Sequence, residues 1–187
     1  MRQSFRPVPA FLVAAVLAAC NAPPTSTEAA PVAAPSADSQ PVSDTAPTSD
    51  ERTEQPRLAV TLLDGSAWNI EAQRGSWVVV NFWATWCAPC LKEIPDLAGL
   101  HDSREDVVVI GLAYEEIETA EMLSFLERHP ASYPIAIVDV YAPPEDFDTP
   151  RGLPMTWLIA PDGSVARKFL GPVTSKDLLE VIDASAG

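Results

Sequence analysis

Residues 57–187 predict an α/β domain, a mixed central sheet with helices on both faces. Three observations carry this expectation. Short, fully apolar runs alternate with stretches whose apolar side chains recur every three or four residues, and the turn signals Asp64-Gly65 and Pro161-Asp162-Gly163 each separate a pair of extended runs. The third is the order of these elements, a hairpin followed by βαβ and then ββα.

Each element has its own reason. Residues 58–63 and 67–70 flank Asp64-Gly65, a strong hairpin signal. Residues 77–84 are continuously apolar apart from Asn81, the pattern of a strand covered on both faces. Leu91, Ile94, Leu97, Ala98 and Leu100 then give residues 88–101 a helical face, interrupted by Pro95. A second buried strand is expected over 107–113, followed by a helix over 117–128 with Met122, Leu123 and Leu126 on one side. Residues 135–138 and 155–160 read as short strands, and 165–170 as the last, beyond the Pro161-Asp162-Gly163 turn. Thr174 or Ser175 caps a final helix that directs Leu178, Leu179 and Ile182 inward. Between them, the acids Glu145, Asp146 and Asp148 around Phe147 read as a solvated loop, or as a surface that selects a basic, cytochrome-like partner.

The chain ahead of this domain has two further parts. Arg2 and Arg6 precede an unbroken apolar run over 10–19, too short to span a bilayer but suited to a signal peptide over 1–19. Leu17-Ala18-Ala19-Cys20 resembles the lipobox of bacterial lipoproteins, in which the cysteine is lipidated and becomes the first mature residue. By the sorting rule of such lipoproteins, Asn21 in place of Asp leans towards the outer membrane. Residues 20–56 hold no Leu, Ile or aromatic side chain, so they cannot bury enough apolar surface to fold and are expected to form a disordered, acidic tether. As a flexible coil such a tether spans on the order of 30 to 35 Å.

Charge excludes one class of function. The net charge of −14 distributes as +2 over 1–20, −5 over 21–56 and −11 over 57–187. A domain so acidic repels polyanions, and no nucleic-acid partner is expected.

Chemistry concentrates in Trp86-Cys87-Ala88-Pro89-Cys90, where a buried strand ends and a helix begins. A helix start presents unpaired N–H groups and the positive end of the dipole, so Cys87 is the expected thiolate nucleophile. Cys90, one turn on, is placed to attack a mixed disulfide at Cys87 as the resolving thiol. Pro89 falls in the first helical turn, where its missing N–H is harmless. A zinc site would need further ligands, and His101 and His129 are not at metal-ligand spacing. A c-type haem attachment would need His at position 91, which is Leu. No metal and no organic cofactor is expected; the redox group is the Cys87–Cys90 disulfide itself.

The run from Val80 to Cys90, Val-Asn-Phe-Trp-Ala-Thr-Trp-Cys-Ala-Pro-Cys, resembles the thioredoxin-like proteins, and within them the membrane-anchored TlpA/ResA thiol:disulfide oxidoreductases. The resemblance covers the whole of 57–187 and implies a thioredoxin fold with an N-terminal β-hairpin extension. Gly152-Leu153-Pro154-Met155-Thr156 is similar to the superfamily's second signature, which implies a cis Pro154 facing the disulfide and a Leu153 backbone edge that pairs with an extended substrate. Glu93 matches an acid of the TlpA/ResA branch. Position 81, where thioredoxins proper place a buried Asp, is Asn, so Glu93 is the implied proton relay for Cys90. Trp86 belongs with Leu153 and Pro154 to the implied docking surface, and Pro95 to a helix kink.

The family's chemistry implies a periplasmic reductase of protein disulfides, with cytochrome c maturation the commonest task. Its partners would be a disulfide-bearing periplasmic protein, a membrane thiol-disulfide electron donor, and the membrane through Cys20. A disulfide donor working in the opposite direction uses the same residues, and a thioredoxin-fold metallochaperone without turnover is a third reading. Peroxidase-type relatives place Thr three residues before their cysteine, whereas Thr85 lies two before Cys87.

Overall fold

The structure, a computed structural model, describes residues 55–185. The signal peptide, Cys20, Asn21 and the tether up to residue 54 lie outside the described residues. Pro56 is buried, and the Gln55 amide donates to the Asp162 carbonyl at 3.1 Å.

Among the described residues, seven strands and three α-helices follow in the order β1 (Ala59–Thr61), β2 (Ala67–Asn69), β3 (Trp77–Trp83), α1 (Ala88–Ser103), β4 (Val107–Tyr114), α2 (Thr119–Leu126), β5 (Ile135–Val138), β6 (Met155–Ile159), β7 (Val165–Leu170) and α3 (Ser175–Ala184). The main sheet has the order β5-β4-β3-β6-β7, parallel between β3, β4 and β5 and antiparallel between β3, β6 and β7. All seven residues of β3 are buried, which explains its unbroken apolar sequence. On β4, Gly111 is required by packing: a Cβ there would come within 2.6 Å of Ile135 Cδ1 and 3.0 Å of Trp83 Nε1. β1 and β2 pair as a separate hairpin. Its Gly65 N–H donates to the Leu62 carbonyl and Leu62 N–H to Ser66, so the loop has three residues with Gly65 at φ 84°.

The two sides of the sheet are covered differently. Alternate residues of β3 separate cleanly, Val79 and Trp83 joining one core, Val78, Val80 and Phe82 the other. The buried residues of all three helices belong to the first: Ile94, Leu97 and Leu100 from α1, Met122 from α2, Leu178 and Ile182 from α3. Helices on both faces were expected from the sequence, and this is corrected. The connections β3-α1-β4 and β4-α2-β5 step across the sheet in the same direction, and crossovers of one hand then put both helices on one face. The second face is covered by Leu58, Trp68 and Ile70 of the hairpin region and by Phe147.

Three local expectations also change. In α2, Leu123 is 48% exposed while Met122 is buried and Phe125 packs on Trp83 at 6.0 Å. Neighbouring residues lie about 100° apart on a helix, so Leu123 cannot share the face of Met122, Phe125 and Leu126. In α3, as expected, Leu178 and Ile182 are buried and the partly buried Leu179 packs against the same core. The α1 helix runs unbroken through Pro95, which lies on its exposed side, where a carbonyl deprived of its partner can turn to water. The acidic segment around Phe147 is not a solvated loop. Phe147 is buried against Trp157 at 4.8 Å and Phe82 at 5.9 Å. Asp146 accepts from the Arg57 N–H and Nε at 2.9 and 3.0 Å, and Asp148 from Lys168 Nζ at 3.0 Å.

Candidate active site

The site is built where β3 leaves the sheet. A turn closed by the Cys87 N–H on the Ala84 carbonyl at 3.1 Å leads into α1. Glu115, beyond β4, holds this turn by accepting from the Thr85 N–H at 2.7 Å and the Thr85 hydroxyl at 2.9 Å. Cys87 has extended backbone (φ −88°, ψ 92°) and caps α1, its sulfur accepting from the Cys90 N–H at 3.4 Å. That N–H is among the first of the helix, which have no partner within it.

Cys87 and Cys90 form a disulfide, with Cα atoms 5.3 Å apart. Ala88 and Pro89 are exposed between them and Trp86 is 69% exposed, whereas both cysteines are buried. The first sulfur thus sits at the positive end of α1 under an exposed rim, where a thiolate is favoured.

One turn further on, the Glu93 side chain is buried in the same helix. Its Oε1 accepts from Asn81 Nδ2 at 2.8 Å and its Oε2 from the Val173 N–H at 3.1 Å. Burial pushes the carboxyl up from the ordinary range, against the Val173 N–H and the Asn81 amide, which hold it down. Asn81 also donates to Thr156 Oγ1 at 3.0 Å, its register partner on β6.

The second signature lies beside this helix start. The Leu153–Pro154 bond is cis, and Pro154 is buried with its carbonyl accepting from the Gly171 N–H at 2.9 Å. Trp86 and Leu153 line one groove of about 420 Å³ together with Glu116 and Arg151. Trp86, Cys87, Cys90, Glu93, Leu153 and Pro154 therefore all fall at one end of the sheet. Cys20 is outside the described residues. The two histidines serve packing: His101 Nδ1 accepts from the Val109 N–H at 3.2 Å, and His129 stacks on Phe125 at 4.5 Å.

Sequence reasoning missed Glu115, Thr156 and the Val173 N–H. Thr156 carried a signal, a single hydroxyl in an apolar strand opposite the single amide of β3. Glu115 follows β4 in an acidic run that gives no hint of a Thr85 partner, and a backbone N–H has no sequence signature.

Comparison with known proteins agrees with this geometry. Residues 52–169 match the AhpC/TSA family. The thiol-disulfide oxidoreductase ResA of Bacillus cereus is 33% identical over 127 residues, covering 67% of this chain and 72% of that protein. ResA of Bacillus subtilis is 28% identical over 126 residues, covering 66% and 69%. A solved thiol:disulfide interchange protein of the thioredoxin family from Chlorobium tepidum superposes with a TM-score of 0.61 at 24% identity, covering 72% of this chain and 97% of that one, a likeness of fold. The match begins ahead of the hairpin and runs into β7, taking in the helix that starts with the cysteine pair, so the chain belongs to the AhpC/TSA family of thioredoxin-like proteins and is a thiol-disulfide oxidoreductase related to ResA.

Proposed function

We propose that this protein is a lipid-anchored reductase of protein disulfides in the bacterial periplasm, with cytochrome c maturation as one task. The observation that carries the proposal is the Cys87–Cys90 disulfide at the start of α1 with a buried carboxyl one turn behind it. In the reduced protein, Cys87 thiolate attacks one sulfur of a target disulfide; an S–S bond forms to Cys87 and the other target sulfur leaves as thiolate. Cys90 then gives its proton to Glu93 and attacks Cys87 Sγ, which expels the second target thiolate and forms the intramolecular disulfide. Two electrons have passed to the target, whose thiolates take up protons. A membrane thiol-disulfide donor returns two electrons to the pair. No metal or organic cofactor enters this route.

Substrate docking is assigned to the groove of Trp86 and Leu153. The exposed indole supplies apolar contact, and the Leu153 backbone ahead of Pro154 pairs with an extended strand of the target. Signal peptide 1–19, lipidated Cys20 and tether 20–56 place the domain near the membrane, with Asn21 favouring the outer one.

Two measurements test the reading. Cys90→Ser should accumulate mixed disulfides through Cys87 that dithiothreitol releases, whereas full function in the cell without trapped species would point to a binding module. The reduction potential of the pair in the purified chain decides direction: about −250 mV or lower supports a reductase, and about −120 mV makes the protein a disulfide donor.

A further inference from the structure

Asn81 interrupts β3, whose other six residues are all apolar, and it is buried completely. An amide in that position is costly unless its polar atoms are paired. Both Nδ2 hydrogens are used, one on Glu93 and one on Thr156, at 2.8 and 3.0 Å. Its oxygen has no partner among the described residues, so the whole hydrogen-bonding value of the amide lies in these two donations. Reversing the amide would set an oxygen against the Glu93 carboxylate.

The Val173 N–H completes the arrangement from the segment before α3, at 3.1 Å on the other carboxylate oxygen. Each oxygen of Glu93 is thereby held by one donor, and the two donors come from different elements. Neither donor can change its own charge. Through Thr156, two residues beyond Pro154, the same amide also joins the strand of the cysteine motif to the strand of the second signature.

We propose that Asn81 is a positioning residue of this site, gripping Glu93 jointly with the Val173 N–H so that the carboxyl stays ionised and directed to receive the Cys90 proton. The inference rests on the proton-relay role given to Glu93 above and goes beyond it by naming what sets the pH range of that relay. Burial favours the protonated form of Glu93, and a protonated carboxyl cannot accept a proton from Cys90. Donors to the ionised form oppose this, and Asn81 is the side chain that supplies one.

The other titratable groups near Glu93 are few. Cys90 lies on its own helix, and Tyr133, ahead of β5, has its hydroxyl pushed up by burial and next by the Glu93 charge. β3, β6 and the segment at Val173 face Glu93 with the non-titrating Asn81, Thr156 and a backbone N–H. Burial, the Val173 N–H and Asn81 account for the displacement of Glu93, with no cation among the causes.

The test is the reduction potential of the full chain followed against pH in four forms: unaltered, Glu93→Gln, Asn81→Ser and the nearly isosteric Asn81→Asp. An inflection present in the unaltered chain and absent in Glu93→Gln belongs to Glu93. Loss of one donor to a charged group should move that inflection up by about one to two pH units in Asn81→Ser. Asn81→Asp should move it at least as far, because a second carboxylate replaces the donor. If Asn81→Ser fails to fold, Asn81→Asp alone decides. An inflection that Glu93→Gln removes but neither Asn81 variant shifts upward overturns the grip while leaving the relay intact. A Glu93→Gln profile identical to that of the unaltered chain overturns the relay and the grip together.

Discussion

Cys87 and Cys90 are three residues apart and chemically unlike. Cys87 caps the helix, accepts an N–H at its sulfur and lies next to exposed Trp86 and Ala88, whereas Cys90 is fully enclosed among the core residues of α1. The proposed order, attack at Cys87 and resolution by Cys90, follows this difference in surroundings. Glu93 adds a measurable pH signature of its own. Its folded-state affinity for protons is raised by burial, so between its ordinary value of 4.5 and the higher folded value the native state binds more protons than the unfolded one. Stability of the oxidised protein should therefore fall as pH rises through that window. Chemical denaturation at stepped pH should show this slope in the unaltered chain and a flatter one in Glu93→Gln; equal slopes would remove Glu93 as its source.

The segment between β5 and β6 helps to cover the second face of the sheet. Residues 139–153 lead directly into Pro154, and Phe147 anchors them in the second core against Trp157 of β6 and Phe82 of β3, the strand that leads into the cysteine motif. Arg57 and Lys168 hold its flanking acids from the hairpin side and from β7. Phe147→Ala removes the anchor, and from the usual cost of deleting a buried aromatic ring it should lose about 3–5 kcal/mol of stability by denaturant unfolding. A loss below about 1 kcal/mol would show that Phe147 does not anchor the segment. At the end of the domain, Thr174 and Asp177 form a reciprocal cap on α3, whose Ser175 is tied to Asp96 of α1. Thr174→Ala should cost about 0.5–2 kcal/mol in the same assay, within the range of single-cap losses.

For the whole molecule, the proposed anchor and the redox domain occupy separate stretches of the chain. Residues 1–56 carry the proposed export and lipidation signals, and the described domain carries the cysteine pair. Cys20→Ser should release the protein from the membrane fraction and abolish incorporation of labelled fatty acid, with the reduction potential of the Cys87/Cys90 pair unchanged. Continued membrane association of that variant would exclude Cys20 as the anchor. No described helix is long and apolar enough to cross a membrane.

Local chemistry makes much of this protein legible in its sequence. The central strands β3, β4 and β6 show as apolar runs because both their faces are buried, the cap at Thr174 or its neighbour because the side chain bonds only three residues away, and Cys87 and Cys90 because a helix start acts on the sulfurs within one turn. What the tertiary structure alone decided depends on partners far apart in sequence. The common face of the helices follows from the order in which parallel strands add to the sheet. The fate of the acidic segment turns on Arg57 and Lys168, 89 and 20 residues away from its acids. The state of Glu93 depends on Asn81, 12 residues before it, and on an N–H 80 residues after it. Hydrophobic pattern reports which side chains leave water, but a hydrogen bond between distant residues has no period and appears only when the chain has brought its two ends together.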